Sequence, residues 1–151
     1  MDKIDRTILF ELQRYGRLTN QELSERIAMS PSPCLRRVRA LEKSGVIKGY
    51  CAIVEQEKYG YPINVFVSIK LDKPTEKIMR EFEARIELID DVMECYLMTG
   101  SHDYLLRVVC ESLKSYEHLI RHTLTNLPNI ASIESSFAFG QVKRKATLPR
   151  K

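Results

Sequence analysis

The chain has 151 residues, 44% of them hydrophobic and 29% charged, with a net charge of +4. That balance excludes a disordered chain, and the length suits one ordinary domain or two small ones. No apolar run approaches the roughly 18 residues of a membrane span, and the opening MDKIDRTILF is charged where a secretory leader is apolar; the expected location is the cytoplasm.

The charge is unevenly spread. Residues 1–50 hold 10 Lys and Arg against 6 Asp and Glu, residues 51–100 hold 6 against 10, and residues 101–151 hold 8 against 4. A basic first third followed by an acidic middle predicts two units with different partners. Cys34, Cys51, Cys95 and Cys110 lie far apart with no CxxC pair, so they read as reduced, buried thiols and not as zinc ligands.

The first 45 residues predict three short helices. Ile4, Ile8, Leu9 and Leu12 recur at helical spacing and stop at Tyr15-Gly16. Thr19 and Glu22 form a capping box that starts a second helix with Leu23 and Ile27 inward. A turn at Ala28-Met29-Ser30 leads into SPSPCLRRVRALEKSG, residues 30–45. There the residue before Pro33 is restricted to extended geometry, which predicts Ser32 as N-cap and Pro33 as the first helical residue. Cys34, Val38 and Leu41 share one stripe, and Gly45 ends the helix.

That stripe turns Arg36, Arg37, Arg39 and Lys43 towards water. Cations favour the C-terminal end of a helix, yet these arginines precede the first acid, Glu42. A helix start flanked by arginines suits an anion, and arginine reads guanine edges with two hydrogen bonds. A solvated cationic face is the plain alternative; two helices joined by a tight turn, the second one basic, favour a helix-turn-helix on DNA. VIKGYCAIVE, residues 46–55, is rich in β-formers and predicts a hairpin or wing, with Lys48 on it. The candidate DNA contacts are Thr19, Ser30, Ser32, Pro33, Arg36, Arg37, Arg39, Lys43 and Lys48.

Residues 1–50 then read as the DNA-binding domain, 51–62 as strand and linker, 63–142 as a second domain and 143–151 as a basic tail. In the second domain INVFVSIKL (63–71) alternates, with Ile63, Val65, Val67, Ile69 and Leu71 on one face. A helix follows with Ile78, Phe82, Ile86 and Ile89 inward, then strands at 92–100 and 103–110. A second helix with Leu113, Tyr116, Ile120, Leu124 and Leu127 inward precedes a last strand at 130–139. Two β-α-β units in tandem predict an α+β chain whose second domain is a ferredoxin-like βαββαβ sheet with helices on one face.

Strand 92–99 is apolar on both faces, Val92, Tyr96 and Met98 against Met93, Cys95 and Leu97. A sheet open to water should alternate, so the uncovered face needs a cover, and a second copy of the chain is the simplest. His118 and His122, four apart, lie opposite Ile120 and Leu124 and read as solvated residues, not a metal clamp.

Three stretches carry a family resemblance: IDRTIL near the start, SPSPCLRRVRALEKSGVIKGY across the basic helix and wing, and MTGSHDYLLRV in the second domain. With them the chain resembles the Lrp/AsnC (feast/famine) transcription regulators along its whole length. The resemblance implies a winged helix-turn-helix joined to a βαββαβ effector-sensing domain that pairs in dimers and assembles further into tetramers or octamers. It also implies a small effector, usually an amino acid, held between subunits at the turn after the second strand. By that implication Leu97, Thr99, Gly100, Ser101, His102 and Asp103 line the pocket, and Ser135 and Ser136 add hydroxyls from a neighbouring chain. Asp103 suits the ammonium of a zwitterion. Where the family often has an acid or small polar residue after the glycine, this chain has Ser101-His102, and a histidine there would contact the ligand or make the response pH-sensitive.

No catalytic motif stands out, and the expected protein is a regulator without cofactor. Two other readings follow from the resemblance: an architectural DNA-compacting protein, whose affinity would depend steeply on salt and little on sequence, and a haem-precursor decarboxylase, which would need no intact DNA-reading helix.

Overall fold

The computed structural model describes residues 1–149, and the chain divides into two compact units, Met1–Ile53 with Lys143–Lys151, and Val54–Val142. The first unit holds α1 (Lys3–Arg14), α2 (Asn20–Arg26) and α3 (Pro31–Lys43). Ile8, Leu23, Cys34 and Leu41 form its buried centre, with Leu9, Leu12, Leu18, Ile27, Met29, Val38 and Ile47 packed around them. Ile4, which shares the helical spacing of Ile8, Leu9 and Leu12, is exposed.

Local chemistry sets the helix ends. The Thr19 hydroxyl accepts from the Glu22 N–H, and the Glu22 carboxylate accepts from the Thr19 N–H at 2.7 Å, as the capping box predicts. A second box, Asp2 with Asp5, starts α1 and was not read from the sequence. For α3 the expectation is corrected: the N-cap is Ser30 and Pro31 is the first helical residue. Both prolines then fall within the first turn, where a backbone N–H has no helical partner and its loss costs nothing. The first turn accordingly offers one amide N–H, that of Ser32. At the other end Gly45, at a φ of 74°, lets the chain turn so that the Ile47 N–H reaches the Leu41 carbonyl at 3.1 Å.

No strand forms between residues 44 and 62, so the expected hairpin or wing is absent as a hydrogen-bonded element. β-propensity alone does not make a strand, which needs a partner for its ladder, and among the described residues none pairs with 46–55. Val46, Tyr50, Ile53 and Val54 are exposed there.

The second unit runs β1 (Ile63–Leu71), α4 (Glu76–Ile86), β2 (Val92–Leu97), β3 (Tyr104–Cys110), α5 (Leu113–His122) and, after a 3-10 turn at Leu124–Asn126, β4 (Ile130–Ala138). The sheet order is β2-β3-β1-β4, every neighbouring pair antiparallel, which is the ferredoxin-like arrangement expected. Val65, Val67, Ile69 and Leu71 meet Phe82 and Ile86 of α4, Tyr116 and Leu119 of α5, and Tyr104, Leu106 and Val108 of β3 in one core. Phe82 and Tyr104 lie with ring centroids 4.5 Å apart, and the Tyr104 hydroxyl donates to Glu83 at 2.8 Å, which satisfies the buried phenol. Leu113, expected inward, is exposed in the first turn of α5, and Leu119 is the buried residue that the reading passed over.

The face assignment of β2 is also corrected. A register shift between Val92 and Glu94 puts Val92 opposite Val108 and Cys95 opposite Leu106, on the helix-covered side, while Glu94 and Tyr96 oppose Arg107 and Leu105 on the other. One extra residue reverses the alternation, so Val92 and Tyr96 do not share a face. Cys34 and Cys110 are buried, as expected, whereas Cys51 and Cys95 are exposed; all four thiols are free.

Candidate functional site

Two regions bring candidate residues together, one in each unit. The first is the outer face of α3. Arg36 and Arg39 are exposed, and among the described residues neither forms an ion pair; Lys43 and Lys48 are exposed as well. Arg37 departs from the expectation that all three arginines face water: it is half-buried. Its Nη1 lies 2.7 Å from Asp2 Oδ2 and 2.7 Å from Asp5 Oδ1, at the N-terminus of α1. The Asp5 N–H and the Arg37 guanidinium hold the Asp2 carboxyl below the usual carboxylate range. Arg37 therefore ties α3 to α1, while Arg36 and Arg39 stay outside that ion-pair cluster.

The mutual placing of α2 and α3 has its own fastening. Asn20 Nδ2 donates to the Pro31 carbonyl at 2.9 Å, joining the start of α2 to the start of α3. Asn20 Oδ1 is buried with no partner among the described residues. Nothing in the spacing of the sequence announces this bond, because its partner is a carbonyl 11 residues on. A groove of about 330 Å³ runs beside it, lined by Leu12, Gly16, Arg17, Leu18, Asn20, Leu23, Leu35, Val38 and Tyr50. Thr19, Ser30 and Ser32 are exposed at the two helix starts, with Pro33 half-buried between them.

The second region is the turn from Leu97 to Asp103. Gly100 sits at a φ of 115°, which a side chain at this position would strain. The Met98 N–H donates to the Asp103 carbonyl at 2.8 Å, and the Asp103 N–H to the Ile69 carbonyl at 2.9 Å. Asp103 Oδ2 accepts from the Leu71 N–H at 2.7 Å, so one carboxylate oxygen is committed to the end of β1. Two residues that sequence reasoning missed secure the rest. Lys70 Nζ donates to the Ser101 carbonyl at 3.0 Å, and Glu134 Oε2 lies 3.4 Å from His102 Nε2. His102 Nδ1 also lies 3.1 Å from the Ser101 hydroxyl.

Register decides which face each candidate occupies. β1 and β4 place Ser136 opposite Phe66 and Glu134 opposite Ser68, on the face away from the helices. Ser135 opposes Val67 on the helix side, where its hydroxyl accepts from Tyr116. Strand alternation thus puts the two serines on opposite faces of the sheet, with the Ser135 hydroxyl bonded to Tyr116. Leu97, opposite Tyr104, also falls on the helix side, and Thr99 is exposed in the turn.

The open face of the sheet is not uniformly apolar. Arg107 Nε donates to Glu94 Oε1 at 2.8 Å and its Nη1 to Asn64 Oδ1 at 3.2 Å, while the Tyr96 hydroxyl donates to the same glutamate at 2.6 Å. By register Phe66 and Leu105 lie on this face, as does Val109, which is buried. His118 and His122 are exposed on α5 with ring centroids 4.4 Å apart.

Comparison with known proteins decides the family. A family model described as winged helix-turn-helix DNA-binding matches residues 1–48, and one described as Lrp/AsnC ligand binding domain matches residues 64–148. The chain is 37% identical over 148 residues to the leucine-responsive regulatory protein of Salmonella typhimurium, covering 98% of this chain and 90% of that protein. The chain belongs to the Lrp/AsnC family. Among solved structures, a transcriptional regulator of Neisseria meningitidis in complex with L-Met superposes with a TM-score of 0.92 at 35% identity, over 99% of this chain and 96% of that one. An AsnC family transcriptional regulator from Agrobacterium tumefaciens gives 0.93 at 32% identity, over 99% and 97%. This Lrp/AsnC chain is thus a transcriptional regulator with an N-terminal DNA-binding unit and a C-terminal ligand-binding unit.

Proposed function

We propose that this Lrp/AsnC regulator reads operator DNA with the exposed side of α3 and takes an amino acid as effector at the 97–103 turn, against a second copy of the chain. The observation that carries the reading is the division among the arginines of α3. Arg37 is held by two carboxylates of α1, so Arg36 and Arg39 project from a helix whose orientation is fixed and whose own charges are not neutralised. Arg36 and Arg39 approach base edges in the major groove, while Ser30, Ser32, Thr19, Lys43 and Lys48 meet phosphates, with Pro33 keeping the helix start stiff. Arg37 acts through its neighbours as a positioning residue.

At the turn, the Asp103 carboxylate oxygen not used by Leu71 is available to an ammonium, and Ser101, Ser136 and Thr99 offer hydroxyls to a carboxylate. The regulator of Neisseria meningitidis was solved with L-Met, which supports an amino acid as the class of ligand. The open sheet face, with Phe66, Tyr96, Leu105 and Val109 around the Arg107–Glu94 pair, is the surface on which two copies pair, and further association builds tetramers or octamers. The relatives are regulators, and this chain acts without catalysis, on chromosomal DNA in the cytoplasm.

The test is gel-shift binding of the purified protein to DNA upstream of its own gene and to an unrelated fragment, with and without each amino acid. Fragment-selective binding that one amino acid shifts establishes the reading. Equal binding to both fragments that no amino acid changes contradicts it and favours an architectural role.

A further inference from the structure

The C-terminal tail does not belong with the sheet it follows. After β4 the chain leaves the second unit, and Lys143–Lys151 groups with Met1–Ile53. The attachment is specific. The Gln13 side chain on α1 donates through Nε2 to the Leu9 carbonyl at 3.0 Å, and its Oε1 accepts from the Leu148 N–H at 2.9 Å. Because the first bond orients the amide, its oxygen is fixed as the acceptor for the tail.

The effect on charge is large. Residues 1–53 carry 10 Lys and Arg against 6 Asp and Glu, and the tail adds 5 Lys and Arg with no acid. The first unit therefore stands at +9 and the second, with 9 against 14, at −5. The modest net charge of the whole chain conceals one strongly basic unit and one acidic unit. Lys143, Arg144 and Lys145 are exposed, and among the described residues no carboxylate pairs with them. Three adjacent cations with no internal partner repel one another, and polyanion phosphates are the counter-charge that relieves it.

The anchor Gln13 lies on α1, the helix to which Arg37 ties α3 through Asp2 and Asp5, so tail and basic helix are fastened to the same element. Lys145 to Lys143 precede Leu148 by three to five residues, within roughly 10 to 17 Å of the anchor. We propose that the tail is a second DNA-contacting arm, held on α1 by Gln13, in which Lys143, Arg144 and Lys145 bind backbone phosphates beside the site that α3 reads. This rests on the DNA-reading role of the first unit and adds to it a contact that is blind to sequence.

The experiment measures affinity for the upstream fragment and for an unrelated one across a salt series, for wild type, a Lys143→Ala/Arg144→Ala/Lys145→Ala protein, Gln13→Ala, and Arg36→Ala/Arg39→Ala. Each phosphate contact contributes about 0.9 to the slope of log K against log salt, so the tail variant should flatten that slope by roughly two to three for each tail that engages DNA. It should weaken both fragments by the same factor and keep the preference between them. Gln13→Ala, which retains every charge, should move the same way by less. An unchanged slope in the tail variant, wild-type binding by Gln13→Ala, or an altered oligomeric state by light scattering with no change in slope each overturns the proposal. Loss of fragment preference belongs to Arg36→Ala/Arg39→Ala; if that variant keeps its preference, the reading of α3 fails while the slope result still judges the tail.

Discussion

The face of α3 and the turn at 97–103 are built on opposite plans. On α3 every candidate stands on one helix, and the two that matter most, Arg36 and Arg39, make no ion pair among the described residues. At the turn, by contrast, several polar groups are already engaged, by Leu71 and Lys70 of β1, Glu134 of β4 or a neighbour in the turn. The first region is a helix with charge to spare, suited to a rigid polyanion. The second is a corner stitched to β1 and β4.

That contrast predicts that removing the unpaired charges of α3, Arg36 and Arg39, costs binding without stability, whereas removing a bonded group of the turn costs stability as well. The largest effect belongs to Arg36→Ala/Arg39→Ala. At about 1–3 kcal/mol for each base-reading arginine, operator affinity by fluorescence anisotropy should fall by a factor of roughly 10² or more, with the urea midpoint unmoved.

Next comes Asp103. Asp103→Ala leaves the Leu71 N–H without its acceptor and should lower stability by about 1–3 kcal/mol in urea, abolishing the effector response as well. Asp103→Asn keeps an acceptor oxygen but loses the charge; it should retain most of the stability and still fail to respond. If Asp103→Asn responds normally, the carboxylate is structural only. Gly100→Ala forces a side chain into a positive-φ backbone and should cost about 1–2 kcal/mol, again read in urea.

The smallest effect is the most diagnostic of Arg37. The folded protein holds the Asp2 carboxyl below its ordinary range, so this group contributes stability at neutral pH that is lost as pH falls through the folded value. Arg37→Ala should be less stable than wild type at pH 7, and the gap between their urea midpoints should close below about pH 4. A gap that persists in acid assigns the Arg37 effect to packing.

How much of this was legible in the sequence follows the reach of each interaction. The Cys34-Val38-Leu41 stripe and the Thr19–Glu22 box are local, and both appear in the structure as read. The α3 N-cap was placed two residues late because SPSP offers two prolines and both fit a first turn. Arg37 was grouped with the other arginines because its partners, Asp2 and Asp5, lie 35 and 32 residues away. The extra residue at the start of β2 reversed its faces, and alternation alone cannot show where a bulge falls. Residues 46–55 have a strand's composition but no strand partner among the described residues, so propensity overstated them. The turn was located through family resemblance, while its fastening to Lys70 and Glu134 depends on strand register.

The central claim is that Arg36 and Arg39 carry sequence choice while Arg37 only sets their position. The most direct measurement is the ratio of operator to unrelated-fragment affinity for wild type, Arg36→Ala/Arg39→Ala and Arg37→Ala, in one buffer at one salt concentration. The account predicts that the double variant brings the ratio close to one while Arg37→Ala keeps most of the wild-type ratio. A double variant that still prefers the operator, or an Arg37→Ala protein that alone loses the preference, would contradict it.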